Sequence, residues 1–203
     1  AQHEIRVYAE AMLETVRQYG SRLLDADPAE RDAVRLRHAH HFCGWTTRVG
    51  DDLILTDDTA LFDAVTADRA NIVAAAERAI DAGEPVVACD ALEATFTLIV
   101  CPEWASVNRT VLALVDVLLE TLDDVDRWRA YGVRRYALAI RADPISELAT
   151  LGDMQAAAEA TGHAAGVAHS RALTLALLSM TGAPVIDEYR AHVEVLEELE
   201  PVW

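Results

Sequence analysis

The sequence predicts an all-α fold, an α-α superhelix of TPR-like helix-turn-helix units, and three observations predict it. The composition is rich in Ala, Leu and Glu, with only 9 Gly and 6 Pro in 203 residues, which favours helix over strand. Apolar residues recur at three- and four-residue steps along most of the chain. Finally, the breakers Asp143-Pro144-Ile145 and Ala183-Pro184-Val185 stand about 40 residues apart, the order of an α-repeat period. Gly162 supplies a turn between them.

The elements follow in order. Residues Ile5 to Leu24 read as a first helix, with Val7, Tyr8, Ala11, Met12, Thr15, Val16, Tyr19 and Leu23 in helical spacing. Asp25-Ala-Asp-Pro28 ends it, and Pro28 suits the first turn of the next helix. That helix should run from Ala29 to Val49 and stop at Gly50-Asp51-Asp52. After Asp57-Asp58-Thr59, a short turn is expected around Ala60–Val65, then a periodic helix from Thr66 to Ala82 that Gly83 closes. Pro85 to Val100 is apolar nearly all round and is expected to be the most buried helix. Cys101-Pro102-Glu103 breaks it, and Ser106 to Leu122 forms the next. Asp123-Asp124-Val125-Asp126 reads as an acidic seam, followed by helices over Asp126–Ala142, Pro144–Thr161, His163–Thr181 and Pro184–Glu200. The organisation expected is a helical linker over 1–50, a bundle over 51–125 and two TPR-like pairs over 126–203, packed as one continuous domain.

Charge and composition remove several functions. Apolar residues reach 52%, enough for a sizeable core, and net charge is −17, so a phosphate backbone is repelled and direct nucleic-acid binding is not expected. All 17 basic residues are Arg. A Walker A loop needs Lys to reach the β/γ-phosphates, so this segment cannot supply one. Cys43, Cys89 and Cys101 lack a short paired spacing and are expected to be reduced, buried thiols of a cytoplasmic protein. No apolar run is long enough for a membrane span, and no signal peptide is recognised. Ala1 in place of Met is what a segment excised from a longer chain would show.

Three stretches carry a family resemblance. Met12-Leu-Glu-Thr-Val-Arg-Gln-Tyr19, and Arg31–Phe42 containing Arg35-Leu-Arg-His-Ala-His-His-Phe42, resemble the region after the nucleotide-binding core of LuxR-type and SARP-like STAND ATPase transcriptional regulators of bacteria. There a "L-L-E-T-I-R-x-Y" helix precedes "R-R-R-H-A-x-Y-F"; His41 stands where the family usually has Tyr. Asp68-Arg-Ala-Asn-Ile72 with Ala75, Ala76 and Ala79, then Gly83, resembles that family's "E-x-x-N-L-R-A-A-L-x-W-A" helix and the turn after it. Of the W-L-G-Y repeat pattern, Trp128, Tyr131 and Gly132 stand in rough register. The resemblance implies the helical-repeat arm of such a regulator plus the tail of a winged-helix linker. Its ATP-binding and DNA-reading residues would lie elsewhere in the chain.

Candidate chemistry is sparse. His38, His40, His41 and Cys43 are the best metal cluster, but successive helical positions lie about 100° apart, so at most His38 and His41 would share an ion. Interhelical contacts explain them more simply, and no metal is expected. Asp57/Asp58 and Asp123/Asp124 read as caps and solvated turns, since adjacent residues point apart and no calcium-loop pattern occurs. No G-x-S-x-G or comparable nucleophile signature accompanies the Cys and His residues. No catalytic residue and no cofactor is therefore expected.

The aromatics Trp45, Trp104, Trp128, Trp203, Tyr131, Tyr136 and Tyr189 read first as core and second as a groove. Arg127, Arg129, Arg134, Arg135 and Arg141 are the one basic concentration. They either flank a Trp128/Tyr131 face that receives an acidic segment, or pair with Asp123, Asp124 and Asp126. The candidate partner groove is Trp128, Tyr131, Arg134, Arg135 and Tyr189. The function expected is a non-catalytic sensor arm that binds a protein partner or small-molecule inducer on its repeat face, touches neither nucleic acid nor membrane, and leaves self-association open. The alternatives are the same arm on a cyclase or kinase output domain, and a stand-alone helical enzyme.

Overall fold

The computed structural model describes residues 16, 18–20, 22–55, 59–95, 98, 101–141, 143–180 and 182–199, the side chains of 51, 53–55 and 196–199 excepted. Among the described residues every regular element is helical and no strand occurs, so the protein is all-α. The chain divides into two compact units, Ala1–His38 and Ala39–Trp203.

In the first unit, residues 22–25 are helical and a turn at 26–27 separates them from α1 (Pro28–Leu55). Asp27 Oδ1 accepts the backbone N–H groups of Ala29 and Glu30 at 3.1 and 3.2 Å. Pro28 occupies the first helical position, where its missing N–H costs nothing. The apolar stripe expected on the preceding helix lies open at Val16, Tyr19 and Leu23, which are 64%, 63% and 57% exposed. The remainder of that helix, back to Ile5, lies outside the described residues.

In the second unit α1 continues through Gly50, where a stop was expected. Gly50 is buried, and a Cβ built on it would stand 2.8 Å from Ala94 Cβ and 3.2 Å from Ala94 Cα. The glycine is a contact surface for a neighbouring helix, not a terminator. Asp57 and Asp58 lie outside the described residues. The turn expected at Ala60–Val65 is the helix α2 (Thr59–Ala67), and the periodic helix begins after Asp68 as α3 (Arg69–Asp81). Its inward face, Ile72, Val73, Ala75, Ala76 and Ala79, is buried, and Gly83 follows at φ 81°.

The helix expected over Pro85–Val100 ends at Ala94 as α4 (Pro85–Ala94). Thr95 Oγ1 donates back to the Leu92 carbonyl at 3.0 Å beside that end, and Leu98 beyond it is helical again. After a 3-10 turn (Pro102–Trp104) that buries Trp104 completely come α5 (Ala105–Thr121) and α6 (Asp124–Ala139). The acidic seam starts α6: Asp123 Oδ1 accepts from the N–H groups of Val125 and Asp126, both at 3.1 Å.

Then follow α7 (Pro144–Thr161), α8 (Ala164–Met180) and α9 (Ile186–Leu199). Gly162 closes α7 at φ 70°, a left-handed conformation that glycine adopts without steric cost. Helix α8 buries Gly166, Ala168, Ser170, Ala172, Leu175 and Leu177 of its 17 residues, and the shorter α4 buries Ala88, Cys89, Ala91 and Leu92 of its 10, a larger share.

Helices α3, α4 and α5 pack on one another; α6 packs on α4 and α5, and α7, α8 and α9 each pack on the helix before. Short turns between packed neighbours make these antiparallel hairpins. Two apolar clusters result. The larger runs from Ala39 and Cys43 through α3, α4 and α5 to Ala130, Val133 and Ala137 of α6. The smaller is Leu151, Met154 and Leu177, with Trp128, Tyr131, Leu148 and Leu173 packed against it.

Two glycine substitutions should move stability in opposite directions. Gly50→Ala forces α1 away from α4 and should cost about 1–3 kcal/mol. Gly152→Ala adds a Cβ in open space on a helix and should stabilise by about 0.5–1 kcal/mol. Urea midpoints of both variants against the unaltered chain decide it.

Candidate functional site

Helix α6, capped at its start by Asp123, carries a dense group of charged and aromatic side chains. Arg129 reaches across to α4: its Nε donates to Glu93 Oε2 at 2.8 Å, and its Nη2 donates to both Asp90 and Glu93. Its Nη1 donates to Asp126 Oδ1 at 3.0 Å. Three carboxylates thus converge on one guanidinium that is 20% exposed. Burial works against the Arg129 charge, but the bonds from Glu93 and Asp90 outweigh it and hold its pKa above the usual arginine value.

Beside this group the thiols are quiet. Burial, with Asp90 and Glu84 nearby, pushes Cys43 up to about 11. Burial pushes Cys89 up to about 12 against the opposing effect of Arg129. Half-buried Cys101 is raised by burial and Glu103. A thiol held protonated is a poor nucleophile.

The five groove candidates do not all meet. Trp128 and Tyr131 are brought together, both packed on the Leu151/Met154/Leu177 cluster. Trp128 also stacks on His163, centroids 4.7 Å apart at 34°. Arg134 turns towards α5, 3.2 Å from Asp116 Oδ1. Arg135 turns towards α7: its Nε lies 2.7 Å from Glu147 Oε1, with the N–H poorly aligned, so the contact is an ion pair more than a hydrogen bond. Its guanidinium also sits 4.4 Å from the Tyr136 ring centroid. Tyr189 is half-buried on α9. Of the other basic residues, Arg127 pairs with Asp124.

The histidine-rich stretch disperses. His40 Nε2 is 2.6 Å from Glu84 Oε2, His41 meets the Phe42 ring edge-on, and Cys43 is buried in the core. Among the described residues no group of three or more His, Cys, Asp or Glu is placed to hold a metal ion. No helix among them is long and apolar enough to cross a membrane.

Three polar contacts escape sequence reasoning. Asp90 and Glu93, one helical turn apart on α4, join Arg129 from a different helix; their three-residue spacing marks a shared face without naming its partner. Buried Asn108 of α5 donates from Nδ2 to the Ala137 carbonyl at 2.9 Å, meeting one of the carbonyls that the end of α6 leaves unbonded. His163 Nδ1 accepts the Gly166 N–H at 2.9 Å and so caps α8. Histidine is not among the favoured caps, which is why the sequence does not announce it.

No protein family, curated protein or solved structure matches this chain.

The thiols and one cap give two checks. In mildly alkaline buffer the folded protein should react with a thiol reagent at Cys101 well before Cys43 and Cys89, and all three should react in denaturant. Simultaneous labelling of all three in the native state would contradict the burial.

The second check is the Asp143 carboxyl. It accepts from the Ser146 hydroxyl at 2.6 Å and the Ser146 N–H at 3.1 Å, bonds that hold it below its ordinary 3.8. Its stabilisation is complete above that ordinary value and fades as pH falls through the lower folded value. The melting difference between the unaltered chain and Asp143→Ala should therefore be constant from about pH 7 to about pH 5 and shrink on further acidification.

Proposed function

We propose that this chain is the sensor and protein-interaction arm of a larger bacterial ATP-dependent transcriptional regulator of the LuxR-type or SARP-like STAND kind, acting in the cytoplasm without catalysis of its own. The observation that carries the reading is the packing of α6 to α9, in which each helix rests mainly on its predecessor in chain order. That is the arrangement of stacked helical repeats, and we read it as part of an α-α superhelix. The Met12–Phe42 and Asp68–Gly83 resemblances supply the family. Arg129, Arg134 and Arg135 of α6 are each engaged in an ion pair with a neighbouring helix, which suits a scaffold better than a reactive centre.

In this reading a protein partner or small-molecule inducer binds the repeat face. A ligand that favours one arrangement of the helices shifts the nucleotide switch of the whole protein by its difference in affinity for the two states. The net charge of −17 turns nucleic acid away, leaving DNA contact to another part of the regulator.

The complete reading frame around this chain tests the family: a phosphate-binding loop should precede it, and a frame without one removes the regulator reading. In the full-length protein, deletion of residues 124–199 should leave ATP binding intact and abolish the response of ATP hydrolysis to inducer or partner. Retention of that response would place sensing elsewhere.

A further inference from the structure

The seam between α5 and α6 is fastened differently from every later one. Facing the larger cluster, α6 presents Ala130, Val133 and Ala137, which are small. Its large side chains, Trp128 and Tyr131, go to the other cluster, with Leu151, Met154 and Leu177 of α7 and α8. On the α4–α5 side the small side chains of α6 meet large buried ones, Leu92, Leu114, Val115 and Leu118, so α6 itself contributes little apolar area there.

Beside this apolar contact, directional polar contacts cross the seam. Near the start of α6, Arg129 grips Asp90 and Glu93 of α4. Near its end, Asn108 of α5 holds the Ala137 carbonyl at 2.9 Å. Arg134 and Asp116 add an exposed pair between them. Residues 129 and 137 lie about 12 Å apart along the helix at its standard rise, so α6 is pinned at both ends. The connection is short: α5 ends at Leu122 in an extended conformation, and Asp123 already caps α6.

We infer that α6–α9 form a separately opening unit, pivoting at Leu122-Asp123 and latched to α4 and α5 by the Arg129 fork and the Asn108 amide. The latch fails as a whole because each bond is costly to leave half-made. Without Arg129, Asp90, Glu93 and Asp126 are left as partly buried carboxylates facing one another. Without the Asn108 amide, the Ala137 carbonyl is buried unbonded. Small steps at either pin are thereby converted into movement of four helices at once. The inference concerns where the chain yields and stands independently of the regulator reading.

Hydrogen exchange on the full chain tests it. In Arg129→Gln/Asn108→Ala, amides of α6–α9 should exchange at least about tenfold faster, while those of α3–α5 stay within about twofold of the unaltered protein. Equal acceleration in both groups, or in neither, overturns the proposal. Should that double variant lose its native circular dichroism, the unaltered chain decides. With urea added below the unfolding transition, α6–α9 amides should follow a lower-energy opening with a shallower urea dependence than α3–α5. A single shared opening for both groups rejects the latch.

Discussion

How near two helices approach is set by the bulk between them, and at several seams of this structure that bulk is kept small. Gly50 lets α1 reach Ala94 of α4, where a Cβ would stand 2.8 Å from the alanine methyl. Gly166 does the same for α8 among Ala158, His163 and Trp128, where a Cβ would meet atoms at 3.0 to 3.1 Å. The buried face of α3 includes Ala75, Ala76 and Ala79. Close approach gains dispersion contacts along whole backbones, at the cost of little apolar area per residue.

Where the facing side chains are small, polar contacts gain influence. Breaking one partner out of a buried ion pair typically costs about 3–5 kcal/mol, because the remaining charge is stranded. The pair Arg135–Glu147 fits that case, with side chains 14% and 7% exposed. The Arg129 group is more exposed and correspondingly more screened. Both fix how neighbouring helices register, which small apolar faces specify only loosely. A slid alanine face meets another alanine; a slid guanidinium meets nothing.

The fold was legible wherever a local rule decided the matter. Pro28 and Pro144 at first helical positions, and Gly83 and Gly162 at positive φ, act as their residue types dictate. The reading went astray where a tertiary contact overrode the local preference. Gly50 breaks a helix in isolation, yet here it faces Ala94 and α1 runs on. Thr66 looks like a helix start, but Thr59–Ala67 forms its own helix and Asp68 divides it from the next. The candidate groove was the least legible part. Helical spacing placed Trp128, Tyr131, Arg134 and Arg135 on one element, but not which neighbour each would meet. Asp116, Glu147, Met154 and His163 answer that from two other helices and the turn between α7 and α8.

His163 unites two roles that proteins usually keep apart. Its Nδ1 takes the Gly166 N–H, so the neutral ring carries its proton on Nε2, while its face lies tilted against Trp128. The aromatic contact and the integrity of the α8 start are thus one event. Indole emission from Trp128, once separated from that of the other three tryptophans, becomes an internal optical gauge of the α7–α8 turn, read without attaching a dye.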